Sequence, residues 1–144
     1  MKRLLMSMGA LLAMSVFVSA APWLNDYSQA LKTAKAQNKA VLADFTGSDW
    51  CSWCMKLDRE VFATSEFKSF ADKNLVLLKV DFPRGHRLPS SVSAQNEKLA
   101  SRYGVRSFPT VLVLNGDGSV TGKLGYQPGG PRPYIASVEK AAKR

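Results

Sequence analysis

The sequence predicts an α/β protein: one central mixed sheet of about four strands, flanked by helices on both sides. Three observations carry that expectation. Short apolar runs rich in β-branched residues, at 40–46, 75–82 and 110–114, alternate with stretches whose apolar residues recur at helical spacing. Asn115-Gly116-Asp117-Gly118 is a hairpin signal, which makes the final strand pair antiparallel. The only two cysteines, Cys51 and Cys54, fall between a strand and a helix.

Residues 1–20 read as a secretory signal peptide. Lys2 and Arg3 form a positive n-region, Leu4 to Val18 is mostly apolar, and Val18-Ser19-Ala20 offers small residues for cleavage after Ala20. The apolar run is shorter than the ~20 residues a spanning helix needs. The expected product is therefore periplasmic or secreted, without stable membrane insertion, and occupies a compartment where disulfides persist. It spans 21–144 as a single domain, since no internal repeat or dividing linker is present, and is expected to be monomeric.

Within that domain, Asn25 or Asp26 caps a helix over 27–37 whose apolar face is Tyr27, Ala30, Leu31 and Ala34, with Asn38 ending it. Ala40 to Thr46 reads as a buried strand. Gly47, Ser48 and Asp49 supply a turn, with Ser48 or Asp49 as N-cap of a helix running through the cysteines to Phe62. Thr64 or Ser65 caps a short helix with Phe67, Phe70 and Ala71 inward, and a second buried strand follows at 75–82. Pro83 to Ser91 is loop, 93–103 is helix, and Gly104 closes it. Strands at 110–114 and 120–124 form the hairpin. A Gly/Pro-rich connection at 125–133 then leads to a last helix over 134–143.

The formal net charge is +9, or +7 once Lys2 and Arg3 are removed with the signal. The positive residues are scattered, with one small cluster at Arg84, His86 and Arg87. With no nucleic-acid-binding motif beside them, they read as a solvated basic surface and not as a nucleic-acid site.

The cysteine spacing carries the chemistry. A cysteine at a helix N-terminus faces unpaired backbone N–H groups and the positive end of the helix dipole, both of which favour thiolate. Cys51 is placed there, so its pKa is expected below the free value of about 8.5. Cys54 lies one turn inside on the same face and is expected to be more sheltered. An exposed nucleophile backed by a resolving thiol is the arrangement disulfide exchange requires.

The order strand, Trp50-Cys51-Ser52-Trp53-Cys54, helix, and about fifty residues later Ser107-Phe108-Pro109-Thr110 before a hairpin, resembles the thioredoxin-like superfamily. It is most similar to small exported members with a Trp-Cys-x-Trp-Cys centre. The resemblance covers roughly residues 23–143 and implies a thiol–disulfide oxidoreductase without a bound cofactor. Its partners would be protein disulfides and an upstream thiol donor or acceptor. It assigns Cys51 as nucleophile, Cys54 as resolving cysteine, and the pair as the redox-active disulfide. Pro109 becomes the cis-proline. The Phe108 backbone becomes a pairing edge for an extended substrate segment. Asp44 matches the buried carboxylate that assists proton removal from the second cysteine, and Lys79 the lysine often paired with it. Trp50 shields the sulfurs and Trp53 is free to touch substrates. Two departures are visible. Six residues separate Asp44 from Cys51, an insertion in the turn, and Ser52-Trp53 replaces the Gly-Pro of thioredoxin. No counterpart of the usual first strand is apparent before residue 40.

Other readings of the same residues stand beside these. The cysteines could form a purely structural disulfide, although so small a loop gains little entropic stabilisation. Structural zinc normally needs four ligands, and haem attachment needs His where Met55 stands. The rival function is a thioredoxin-fold binding protein or copper carrier, using both thiolates with His86. His86 otherwise reads as a loop residue. Asp44 could be solvent-exposed, Lys79 an edge lysine, and Trp50 and Trp53 simple packing.

Overall fold

Strand β2 (Ala40–Thr46) is buried along nearly its whole length because it has a strand on each side and a packed core on each face. The computed structural model describes residues 21–143; the expected signal peptide at 1–20 lies outside them. The chain runs β1 (Trp23–Leu24), α1 (Tyr27–Gln37), β2, α2 (Ser52–Leu57), a π-helical turn (Asp58–Phe62) and α3 (Ser65–Asn74). It continues through β3 (Leu75–Asp81), α4 (Ser90–Tyr103), β4 (Thr110–Leu114), β5 (Val120–Leu124) and α5 (Pro131–Ala142).

The sheet order is β1-β3-β2-β4-β5. Strands β1, β3 and β2 are parallel; β4 is antiparallel to β2, and β5 to β4. The sheet thus has five strands where the sequence suggested about four. The addition is β1, two residues pairing Trp23 with Leu77 and Leu24 with Leu78. A two-residue edge strand is too short to show any periodicity, which is why the pattern does not reveal it.

The period of two along β2 sorts its side chains between two cores. Val41, Ala43 and Phe45 pack with Ala30 and Ala34 of α1 and Leu99 of α4. Leu42 points the other way, into a core with Leu57, Phe62, Phe67, Tyr134 and Val138 from α2, the π turn, α3 and α5. Asp44 shares the parity of Leu42, so its carboxylate faces the side of the sheet that carries the cysteine helix.

Local signals explain most element ends. Asp26 Oδ1 accepts the Gln29 N–H at 2.7 Å to start α1, and Asn38 ends it in the left-handed region at φ 52°. Thr64 Oγ1 accepts the Phe67 N–H at 3.3 Å to start α3. Gly104, at φ 64°, closes α4. The hairpin closes through Gly118 N–H to Asn115 O and Asn115 N–H to Ser119 O, each 2.9 Å. Two helices begin earlier than their apolar patterns suggest. In α5 Pro131 and Pro133 occupy the first turn, where a missing N–H costs nothing. In α4 Pro89 precedes a polar first turn.

The helix expected to run unbroken from the cysteines to Phe62 instead changes pitch at Asp58. The Ala63 N–H reaches back five residues to Asp58 O at 2.7 Å. The extra residue in that turn rotates the segment so that Val61 and Phe62 are both buried. Phe67 is fully buried and meets the Phe62 ring at 4.9 Å between centroids. We expect Phe67→Ala to destabilise the fold by about 3–5 kcal/mol, read as a lowered urea midpoint with the same slope.

Candidate active site

The cysteine pair sits where β2 hands over to α2. Gly47 O accepts the Trp50 N–H at 3.3 Å and the Cys51 N–H at 2.9 Å, so the chain turns tightly before the helix. A Cβ at Gly47 would run into the Trp50 indole, which explains the glycine. Cys51 is itself the N-cap of α2, with φ −89° and ψ 106°, and its Sγ accepts the Cys54 N–H at 3.3 Å. Ser48 and Asp49, which the sequence offered as caps, do other work. The Ser48 N–H and Oγ–H both donate to the Asp81 carboxylate, at 3.0 and 2.5 Å. Asp49 accepts N–H bonds from Arg84 at 3.0 Å and Gly85 at 2.6 Å. Both residues thus lie against the end of β3 and the loop beyond.

Cys51 and Cys54 are joined in a disulfide with Cα atoms 5.2 Å apart. An exposed Cys51 in front of a buried Cys54 is not what this oxidised form presents: the two are 7% and 5% exposed. Each sulfur covers the other once they are bonded. Their asymmetry lies in position along α2, with Cys51 at the cap and Cys54 inside the first turn.

Phe108–Pro109 is a cis peptide. Phe108 ties that loop to the cysteine turn, its ring edge-on to Trp50 at 5.9 Å and tilted against Phe82 at 5.2 Å. Trp50 is held in turn by its Nε1–H, which donates to Phe82 O at 2.8 Å. Trp53 projects from the other side, 55% exposed, with Tyr126 at 5.0 Å. The Lys56 ammonium lies over both rings, at 5.1 and 5.2 Å. Tyr126 donates its O–H to Glu60 Oε2 at 2.5 Å, which raises the phenol's pKa. The sequence reading passed over Tyr126; the available signal was a lone aromatic in a Gly/Pro-rich connection.

Asp44 is 4% exposed, and its Oδ1 has no hydrogen-bond partner. Burial pushes its pKa up to about 7; Lys79 pulls it down, while Asp58 and Asp81 push it further up. A cleft of about 300 Å³ is lined by Asp44, Thr46, Cys54, Asp58, Arg59 and Lys79, so the carboxyl and the inner cysteine share one polar recess. Lys79 stands opposite Asp44 in the β2–β3 register. Its ammonium, however, lies over the Trp23 ring at 4.8 Å, and Asp44 forms no salt bridge among the described residues. Trp23 belongs to the unforeseen β1, and its ring is a second neighbour of Lys79, which still shares the recess with Asp44. Tyr134, fully buried with its hydroxyl unpartnered, faces Asp44 electrostatically and was also missed. His86 Nδ1 lies 3.4 Å from Asp49. Among the described residues, no group of three or more His, Cys, Asp or Glu side chains is placed to hold a metal ion.

A disulfide at a helix cap, a buried carboxyl behind its inner sulfur and a cis-proline loop beside its tryptophan define a dithiol redox domain. The thioredoxin-like domain family matches residues 27–131, and the chain belongs to that family. It is 36% identical over 117 residues to the disulfide bond reductase DsbH of Chlamydia pneumoniae, covering 81% of this chain and 70% of the relative. A solved DsbH oxidoreductase superposes with a TM-score of 0.82 at 32% identity, covering 94% of both chains. A putative disulphide-isomerase from Bacteroides thetaiotaomicron superposes at 0.63 with 27% identity, covering 85% of this chain and 91% of that one. The protein is a thiol–disulfide oxidoreductase of the thioredoxin type.

The raised pKa of Asp44 has a consequence for stability. Between about pH 4 and pH 7 the unfolded chain has released this proton while the folded chain keeps it, so stability falls as pH rises through that window. Above pH 7 the loss is complete. Asp44→Asn should remove it and stabilise the protein at pH 8 by an amount on the order of 4 kcal/mol. Chemical denaturation at pH 4.5 and pH 8 checks this: the variant should gain at pH 8 and gain far less at pH 4.5.

Proposed function

We propose that residues 21–144 form an exported, monomeric enzyme that reduces protein disulfides and is itself re-reduced by an upstream thiol donor. The observation that carries this is the Cys51–Cys54 pair at the cap of α2 with Asp44 in the recess behind Cys54. The reductive direction is supported by the likeness to the Chlamydia pneumoniae disulfide bond reductase. Export is supported by the composition of residues 1–20. Among the described residues no helix is long and apolar enough to cross a membrane.

In the reduced enzyme, the Cys51 thiolate attacks one sulfur of a substrate disulfide. A mixed disulfide forms and the other substrate sulfur leaves as thiolate. Asp44 takes the proton of Cys54 through the shared recess, a task suited to a carboxyl with pKa about 7. Cys54 then attacks Cys51 Sγ, the second substrate thiol leaves, and the enzyme is left as the Cys51–Cys54 disulfide. Two electrons have passed to substrate, and the donor returns them. Trp53, with Tyr126 beside it, offers an apolar platform next to the reacting sulfurs, and the Phe108 backbone offers a strand edge.

Cys51→Ser should abolish turnover, whereas Cys54→Ser should accumulate mixed disulfides with substrate, visible as thiol-sensitive adducts on a gel. Adducts in neither variant would remove the assigned roles. Asp44→Asn should slow release of the mixed disulfide by about 10²-fold at pH 7, measured by stopped-flow fluorescence. A reductase should equilibrate with glutathione near the thioredoxin potential of about −270 mV and not near −120 mV, the range of a strong oxidant.

A further inference from the structure

We propose that residues 82–87, with Arg106, form a docking lip for acidic protein segments, so that this enzyme favours disulfides flanked by Asp or Glu. The proposal rests on the oxidoreductase reading and narrows its substrate class.

The lip is built against the nucleophile's own turn. Asp49, two residues before Cys51, holds the loop through the Arg84 and Gly85 N–H groups. A Cβ at Gly85 would come within 2.8 Å of Asp49 Oδ2, so the close approach suits a glycine. Phe82 O receives the Trp50 indole N–H. These bonds set the Arg84 guanidinium on Trp50, its central carbon 3.7 Å from the ring centroid. A stacked guanidinium uses its face and leaves its N–H edge free, a geometry that takes a carboxylate in two parallel bonds.

The exposed charge beside Trp50 is mainly positive. On the lip, Asp49 is engaged by two N–H groups and His86, and Asp81 by Ser48; Glu97, across the cleft behind Arg87, is the one other carboxylate lining that cleft. On the opposite side Glu60 is taken by Tyr126 and Lys56, and Asp58 and Arg59 both line the recess at Cys54. Arg84, Arg87 and Arg106 are exposed, and none of them joins a salt bridge among the described residues. Arg106 stands two residues before Phe108, which packs on Trp50 and Phe82. Arg84 thus stands on the Trp50 side of the reacting sulfurs, with Arg87 in the same loop and Arg106 in the segment leading to Phe108, where a bound substrate would place the residues next to its disulfide. Charge of this kind acts mainly on encounter rate and is screened over about 10 Å at 0.1 M salt.

Three disulfide peptides of equal length, with Glu, Ser or Lys flanking the bridge, test this by their kcat/KM with the enzyme. At about 20 mM salt the Glu peptide should be reduced about tenfold faster than the Lys peptide, and the ratio should fall toward one at about 0.5 M. R84E/R87E should reverse the order of the two charged peptides. R87E alone, at a side chain with no ring stacking, should at least halve the ratio, and the salt series on the unmodified enzyme needs no variant. Equal rates for all three peptides at low salt, or a ratio indifferent to both salt and charge reversal, overturns the proposal. If the Ser peptide is not reduced at all, the oxidoreductase reading itself fails, a result distinct from a missing charge preference.

Discussion

The Cys54 N–H bond to Cys51 Sγ at the mouth of α2 is the contact to which the rest of the site answers. It places a sulfur where a helix leaves backbone donors unpaired, and such a position stabilises negative charge on that atom. The sheet serves this arrangement by ending β2 at the turn before Cys51. The π turn after α2 serves it by seating Val61 and Phe62 in the core, which anchors the far end of the short cysteine helix.

Behind that sulfur pair the fold places a group that is costly to bury. A carboxyl with one oxygen unpartnered, facing an unpartnered phenol, is an unfavourable element of a core. The parity of β2 decides which core bears it. Because Asp44 follows Leu42 by two residues, it faces the cysteine helix and shares a recess with Cys54. The stability lost on ionisation and the ability to accept a proton near neutral pH have one origin, the desolvation of that carboxyl.

The inserted residue in the turn illustrates how a local change is absorbed. An ordinary reading would use Ser48 or Asp49 to cap the helix. Here Cys51 is itself the cap, and the two side chains reach Asp81 and the 84–85 backbone. A loop that reads as a solvated basic segment thereby becomes the wall beside Trp50. Tyr126 reaches the opposite side in the same way, from a Gly/Pro-rich stretch without periodicity, held there by Glu60.

The sequence alone determined the α/β layering, the hairpin, the cap at Gly104, the choice of Asn25 or Asp26 and of Thr64 or Ser65 as caps, and the cysteine pair ahead of a helix. Each of these depends on neighbours within a few residues, where spacing and side-chain chemistry act directly. Tertiary structure decided what spacing does not encode. It added β1, whose Trp23 ring lies under the Lys79 ammonium, and it made Cys51 and Cys54 nearly equal in exposure once bonded. It also brought Asp49 to Arg84 and Glu60 to Tyr126, pairs separated by 35 and 66 residues. Such partners meet only after the strands have found their order, so no local pattern announces them.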